Sequence, residues 1–510
     1  MAYVIGIDIG TSGTKTILFD ENGKTIAGKT VEYPLYTPQN GWAEQDPEDW
    51  WRATLEGLKA VMTVTGIDAR DVRGIGLSGQ MHGLVMLDKQ GKVLRKSIIW
   101  CDQRTGEECK ELTALVGAGR LMDITKSPAV TGFTASKILW VKKHEPELFD
   151  KCSTILLPKD YIRFKLTGER ATEVSDASGM QLMDIEKRCW SSEVLEKIGL
   201  DGSLLGKMYE SVEVTGTILP EVAKETGLRA GIPVVGGAGD NAASAIGCGV
   251  IRDGDAFTTI GTSGVVFAHT SKLSVDQSGR IHSFCAAVPG EYHVMGVTQA
   301  AGLSLRWFRD QFCAPEVSQA AKLGLDPYQI MDDEAAKVSV GSNGLLYVPY
   351  LNGERTPHLD PDIRGAFLGL TAAHGRPEMI RAVMEGVTFS LRDCLSVFEG
   401  AGVRLSAMKV CGGGSVSALW RQMLADNMNV PVSTLQSNEG GSLGAAILAG
   451  VGSGLYASLE QACETVIRTR TTQKPIEANV KAYQKYYDIY TRVYASIREV
   501  SHELVTTNRC

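Results

Sequence analysis

The sequence predicts an α/β chain built twice over, two mixed sheets with helices packed on them, facing each other across a central cleft. Three observations predict it. The tetrapeptide Gly-Thr-Ser-Gly occurs at residues 10–13 and returns at 261–264, each time between two apolar runs of strand character. Each half then closes on the same order of strand, acidic residue and small-residue helix. In the first half these are Ile232-Pro233-Val234-Val235, Asp240 and residues 242–249; in the second they are Val430-Pro431-Val432, Glu439 and residues 442–449. A third pair couples residues 74–79 with 408–413, two strands that each run into a Gly-rich turn.

The elements follow in order. Residues 3–9, YVIGIDI, are an apolar strand interrupted only by Gly6 and Asp8. After the glycine turn come a second strand at 16–19, a hairpin at Asp20-Glu21-Asn22-Gly23 and a third strand at 25–29. In the second half Phe257-Thr258-Thr259-Ile260 leads into the turn and Val265-Val266-Phe267-Ala268 leads out. The stretch from Gly13 to Pro233 is longer than that from Gly264 to Pro431, so the first domain, 1–248, is expected to carry the substrate-shaping insertions. The second, 249–510, is expected to end in a single amphipathic helix over 480–504. The uncharged stretch 440–459 reaches membrane-spanning length, but its six Gly and three Ser read as a closely packed helix and loop.

Composition bounds the partners. A chain of 510 residues can bury large cores without disulfide or metal staples. Its net charge of −7 argues against a general nucleic-acid or anionic-membrane binder. The 11 cysteines, Cys510 among them, include no C-x-x-C pair and fit reduced thiols in a cytoplasmic protein. The first residues lack the basic segment of a secretory signal.

The glycine turns suit phosphate, because a tight turn presents backbone N–H groups and hydroxyls together. Neither the Walker A spacing nor the G-x-G-x-x-G fingerprint is present. Asp8, inside an apolar strand just before the first turn, needs a partner, which a hydrated Mg²⁺ on nucleotide phosphates would supply. Gly412-Gly413-Gly414-Ser415 ends a strand before a helix, a turn against which a flat adenosine could lie or a simple left-handed connection. Gly79-Gln80-Met81-His82-Gly83 offers a hydrogen-bonding imidazole beside a soft apolar wall. Trp100, in Trp100-Cys101-Asp102-Gln103-Arg104, either stacks on a sugar face or belongs to packing and an ion pair. Asp240 ends a strand of nearly bare backbone, as the helix N-cap and as a carboxylate placed for chemistry.

Together these turns resemble the FGGY carbohydrate kinases, with their duplicated ribonuclease-H/actin-like fold. Two further stretches resemble that family's signatures: Gly132-Phe133-Thr134 with Lys137, Trp140 and His144, and residues 365–370 with Glu378, Met379 and 382–385. The resemblance implies ATP and Mg²⁺, with Asp8 at the metal and Asp240 taking the proton from the attacking hydroxyl. It implies a sugar site of Met81, His82, Asp240 and Asn241, with Trp100 beside it. It implies a nucleotide site of Thr11, Ser12, Gly13, Lys15, Gly261, Thr262, Gly302, Gly412, Gly413 and Ser417. Arg306 stands where the glycerol-kinase branch has Gln, so that contact is not carried over. The G-Q-M-H-G run resembles the ketopentose branch, which implies conversion of D-xylulose to D-xylulose 5-phosphate as the halves close on sugar and MgATP. A homodimer is left open. The alternatives are a kinase of another ketose, polyol or sugar acid, and, in a different class, an actin- or chaperone-like ATP switch.

Overall fold

Two apolar runs flank the first glycine turn, and they pair as β1 (Tyr3–Ile9) and β2 (Gly13–Asp20), antiparallel across it. Asp20 Oδ1 accepts from the amides of Asn22 and Lys24, both at 2.9 Å, and so sets the next turn into β3 (Thr25–Glu32). Helix α1 (Pro47–Thr65) starts on the Asp46 cap and stops at Gly66, φ 60°. It returns the chain to β4 (Val72–Gly79), parallel to β1. Strands β5 (Val214–Thr217), β6 (Pro233–Val235) and β7 (Ala238–Gly239) complete the sheet in the order β5-β6-β4-β1-β2-β3, with β7 on β4.

The second sheet is built from β8 (Asp255–Ile260), β9 (Gly264–Thr270), β10 (His282–Cys285), β11 (Tyr292–Thr298), β12 (Ala407–Cys411), β13 (Val432–Leu435) and β14 (Thr469–Gln473). Its order is β10-β11-β9-β8-β12-β13-β14. Laid on the first sheet, β11-β9-β8-β12-β13-β14 repeats β3-β2-β1-β4-β6-β5 with the same parallel and antiparallel steps. This is the duplicated two-sheet architecture that the repeated turn predicts. These features come from a computed structural model that describes residues 1–509, with side chains through 507.

Two helices occupy equivalent places after the last parallel strands, α3 (Asp240–Gly247) and α7 (Gly440–Gly452). They touch through backbone. A Cβ on Gly444 would lie 1.8 Å from Ala243 O, and one on Gly247 would lie 2.0 Å from Gly440 O. Helix α7 also lies directly on the first sheet: a Cβ on Gly6 would meet Ser442 O, and one on Gly76 would meet Ala445 O, each at 1.8 Å. Leu443, Ala446 and Ile447 share one core with Val4, Ile17, Val235 and Ile246. The Gly-rich stretch is therefore a buried packing helix, and among the described residues no helix is long and apolar enough to cross a membrane.

Between β4 and β5 the first half inserts a unit with its own core, including Leu84, Met86, Ile138, Trp140 and Leu182. It carries α2 (Thr134–His144). The second half adds most of its extra chain between β11 and β12, including α4 (Gly302–Phe312) and α5 (Arg376–Gly400); α6 (Ala418–Met428) follows β12. The single helix expected over 480–504 is instead two, α8 (Glu477–Tyr490) and α9 (Val493–Arg509). Tertiary contacts explain the break. Tyr483, Tyr487 and Tyr490 are buried around Phe389 of α5. Past the turn, Tyr494 stacks on His358 at 3.7 Å and donates to Asp360 Oδ2 at 2.9 Å. The ten described cysteines are all free; Cys510 lies outside the described residues.

Candidate active site

Each glycine turn closes on itself, Gly10 N donating to Gly13 O at 3.1 Å and Gly261 N to Ser263 O, one residue nearer, at 3.1 Å. The first is held from outside, with Tyr33 donating to Gly10 O at 2.5 Å and Gln45 Nε2 to Thr11 O at 2.6 Å. Ser12 is left exposed. The second turn is joined by the start of α4. Gly302 N donates to Gly261 O at 2.7 Å, and Thr262 O accepts from Ala301 N and Leu303 N. A Cβ at 302 would sit 2.5 Å from Gly261 O, so only Gly allows this approach. Gly412, at φ 82°, lies against Ile260 O at the end of β8, which brings the third glycine turn beside the second. Gly413 faces open space, and Ser417 caps α6 through Trp420 N at 3.0 Å. The nucleotide-side residues expected in the second half thus gather around one end of its sheet.

Asp8 is the last residue but one of β1. Ser78 Oγ donates to Asp8 Oδ1 at 2.7 Å, and burial raises its carboxyl pKa above the ordinary value. Gly441, at the start of α7, leaves room for this carboxylate: a Cβ there would be 2.9 Å from Asp8 Oδ2. Lys15, across the strand pair from Asp8, is ion-paired with Glu439.

Asp240 is the first residue of α3; Gly239, rather than Asp240, is the N-cap. The bare strand before it runs directly into helix, so the aspartate sits one position inside. Asp240 Oδ1 accepts from Asn241 N at 2.7 Å and Asn241 Nδ2 at 2.9 Å. Burial, and then the neighbouring negative charge of Asp8, push the Asp240 carboxyl up to about 7. The backbone is fixed from behind, with Gly239 N donating to Ser175 Oγ at 3.1 Å and Ser175 Oγ to Glu173 Oε1 at 2.8 Å.

Met81 packs on the residue before Asp240, and His82 follows Met81 in the chain. A Cβ on Gly239 would meet Met81 Cγ at 2.8 Å, so the methionine lies directly on the aspartate's strand. His82 has φ 70°, a left-handed conformation that a non-glycine residue keeps only when its surroundings enforce it. Lys137 Nζ at 2.8 Å and Thr134 Oγ1 at 3.1 Å both donate to His82 O and enforce it. The ring stacks on Phe133 at 4.2 Å. Its Nδ1 is 2.9 Å from Gly179 O; a carbonyl only accepts, so Nδ1 carries the proton and Nε2 is an acceptor. Burial, then the Lys137 charge, hold His82 well below the ordinary histidine pKa, and it is neutral.

Trp100 stands with the first turn, its indole N–H donating to Thr11 Oγ1 at 2.9 Å, and 40% of it is exposed. Arg104, by contrast, is buried between Asp102 (2.7 Å) and Glu44 (2.8 Å), with its guanidinium 3.6 Å from the centre of the Trp42 ring. It is an internal ion pair. No motif of the sequence contains Gly179, Ser175, His282 or Arg355. Phe133 and Lys137 stood only within a signature.

The sequence profile of the FGGY family of carbohydrate kinases matches here in both its parts, the N-terminal domain over residues 3–247 and the C-terminal domain over 256–453. The chain belongs to the FGGY family of carbohydrate kinases. It is 43% identical to the xylulose kinase of Bacillus subtilis, over 90% of this chain and 90% of that protein. It is 42% identical to the xylulose kinase of Escherichia coli, over 87% and 88%. The crystal structure of xylulose kinase from Rhodospirillum rubrum superposes with a TM-score of 0.91 at 30% identity, covering 98% of this chain and all of that one.

In an FGGY kinase the phosphate donor arrives with Mg²⁺, and the donor set fits such an ion. Mg²⁺ in phosphoryl-transfer sites takes one or two protein carboxylates, with phosphate and water supplying the rest. Among the described residues no cluster of three or more His, Cys, Asp or Glu could hold a metal by itself, whereas Asp8, its second oxygen free of any hydrogen bond from the protein among the described residues, offers a carboxylate to an ion that phosphate and water complete.

Proposed function

We propose that this FGGY kinase phosphorylates D-xylulose on its C5 hydroxyl, using MgATP. The pairing of a half-buried carboxylate poised near pH 7, Asp240, with the neutral acceptor of His82 carries the reading. A sugar hydroxyl must lose a proton to attack phosphorus, and a base of pKa near the working pH takes it best. Relatives named as xylulose kinases at 42–43% identity support the choice of sugar.

Met81 forms the apolar wall, while His82 Nε2 accepts a sugar hydroxyl and Asn241 donates beside it. Asp240 accepts the O5 proton as O5 bonds to the γ-phosphorus and the bond to the ADP oxygen breaks. The hydroxyls of Thr11 and Ser12 and the amides at Gly13, Gly261 and Thr262 hold the phosphates, with Lys15 beside them. Gly302, Gly412, Gly413 and Ser417 line the adenosine side. Trp100 closes the first turn. Mg²⁺, bound at Asp8, would neutralise charge on the phosphates. Phosphoryl transfer depends mainly on positioning and electrostatics, so approach of the halves 1–248 and 249–510 should matter as much as any one side chain. The −7 charge and the free thiols support a cytoplasmic enzyme without nucleic-acid partners, as a monomer or homodimer that light scattering would distinguish.

A coupled ADP-release assay across D-xylulose, D-ribulose, glycerol and gluconate tests the proposal. The expected result is at least tenfold higher kcat/KM for D-xylulose. Preference for another acceptor would reassign the substrate, and ATP hydrolysis indifferent to every sugar would favour the switch class.

A further inference from the structure

Arg355 is unlike the other buried arginines. The guanidiniums of Arg104, Arg163 and Arg381 each sit on a carboxylate. That of Arg355, half-buried in the second half, has no ion pair and no hydrogen bond among the described residues. Its neighbour Glu354 attracts it electrostatically but accepts no hydrogen bond from the guanidinium, because the carboxylate oxygens are already taken. Thr298 Oγ1 (2.6 Å) and Ser390 Oγ (3.1 Å) donate to Oε2, and the amides of Gln299 (2.9 Å) and Arg355 (2.7 Å) donate to Oε1. A guanidinium held partly away from water with none of its N–H groups paired by the protein is costly, and a ligand can supply the acceptors.

The backbone fixes where Arg355 sits. Thr356 N donates to Val297 O at 3.0 Å and Thr356 Oγ1 to Arg280 O at 2.7 Å, so Arg355 is bolted to the end of β11 and the approach to β10. His282 begins β10 two residues after Arg280, and its Nδ1 is buried with no partner. The Phe133 ring lies between the two histidines, 4.2 Å from His82 and 5.4 Å from His282. Both rings feel the Arg355 charge, which helps keep them neutral; Asp240 is instead set by burial, Asp8 and Asn241. His282 thus stands at the His82 end of the pocket, across the Phe133 ring, and the residue after Arg355 is tied to the segment that leads into His282.

That end has a chemical identity if the proposed substrate is correct, and the inference rests on that reading. A 2-ketopentose closes its ring through the C5 hydroxyl. A kinase that phosphorylates O5 must therefore take the open chain, with a free C2 carbonyl and C1 hydroxyl at the far end. We propose that Arg355, with His282, recognises this keto end, donating to the C2 carbonyl and C1 oxygens from across the cleft. Arginine suits the task, since its planar fork can serve two adjacent oxygens at once.

The test compares ketose with pentitol. Titration calorimetry in the presence of ADP measures binding of D-xylulose, of xylitol, which lacks the carbonyl, and of D-xylonate, which carries a carboxylate. Arg355→Gln should weaken D-xylulose roughly 10- to 100-fold, the scale of a lost charge-assisted hydrogen bond. Xylonate should weaken at least as much, xylitol less than threefold and ADP less than twofold. Arg355→Lys, which keeps the charge and loses the fork, should fall between, and it carries the test if the Gln variant does not fold. Equal weakening of ketose and pentitol would overturn the assignment, and so would a loss confined to ADP. Wild-type affinity of either variant for D-xylulose would sink it while leaving the proposed kinase activity intact. A wild-type enzyme that ignores D-xylulose altogether would instead overturn the substrate reading on which this rests.

Discussion

The two halves share one strand order and differ in where they carry charge. The first turn has Asp8 before it and Lys15 after it; at the matching positions the second has Thr259 and Val266. The acidic residues that follow the last parallel strands diverge in the same way. Glu439 is ion-paired with Lys15, whereas Asp240 has no ion pair among the described residues and is pushed up to about 7. Even the edge strand differs: β5 precedes β6 in the chain, while β14 follows β13. Duplication supplies the frame, and departures from it, concentrated in the first half, set where the charges stand.

The largest expected effect tests the shared frame. Gly76→Ala would drive a Cβ to 1.8 Å from a backbone oxygen of α7, so soluble folded protein should be lost, whereas Gly413→Ala, which meets nothing within 4 Å, should keep the wild-type melting temperature. Survival of the Gly76 variant would show that the helix can move off the sheet. Next, the two acidic residues should separate in kinetics. Asp240→Asn should lower kcat by ~10²-fold or more, the scale of acid–base catalysis, and Glu439→Gln should only raise the KM for ATP a few-fold. Equal losses would erase the asymmetry.

The pH profile sharpens the same contrast. Asp240 is protonated below about 7 and cannot accept a proton there, so kcat/KM for the sugar should climb tenfold per pH unit up to about 7 and level off above. A flat profile from pH 5 to 8 would remove Asp240 from the role of base. His82→Ala should raise the sugar KM by about tenfold with little change for ATP, as expected when one buried hydrogen bond is lost. The smallest effect is on stability. Folding raises the Asp240 pKa, so the folded state holds that proton more tightly, and stability is lost as pH rises through about 7. Asp240→Asn escapes this, and its melting temperature should exceed wild type by more at pH 8 than at pH 5.

The duplicated fold was legible because its signals are local: a repeated tetrapeptide, hairpin turns and strand-ending glycines. The break at Thr491 was not, because nothing in the sequence interrupts the helix there; stacking of Tyr494 on a loop more than a hundred residues upstream redirects it. The pocket divides in the same way. Met81, His82, Asp8 and Asp240 announce themselves beside glycines, and the structure brings them together. The partners of His82 come from Phe133, Lys137 and Gly179, in an insertion that only the tertiary fold lays against β4. Arg104 illustrates the reverse, a residue near a motif whose charge is spent internally on Asp102 and Glu44.

Helix α7 has a consequence for how the protein can be divided. By sequence it belongs to the C-terminal part, yet its apolar face rests on β1 and β4 of the N-terminal part. A gene fragment ending near residue 248 would encode a complete sheet with one face bare, and Val4, Ile17 and Val235 would stand in water. Such a fragment should aggregate when expressed alone and be rescued by supplying the remainder in trans. The two family segments are therefore halves of one folding unit, each acting as the other's chaperone.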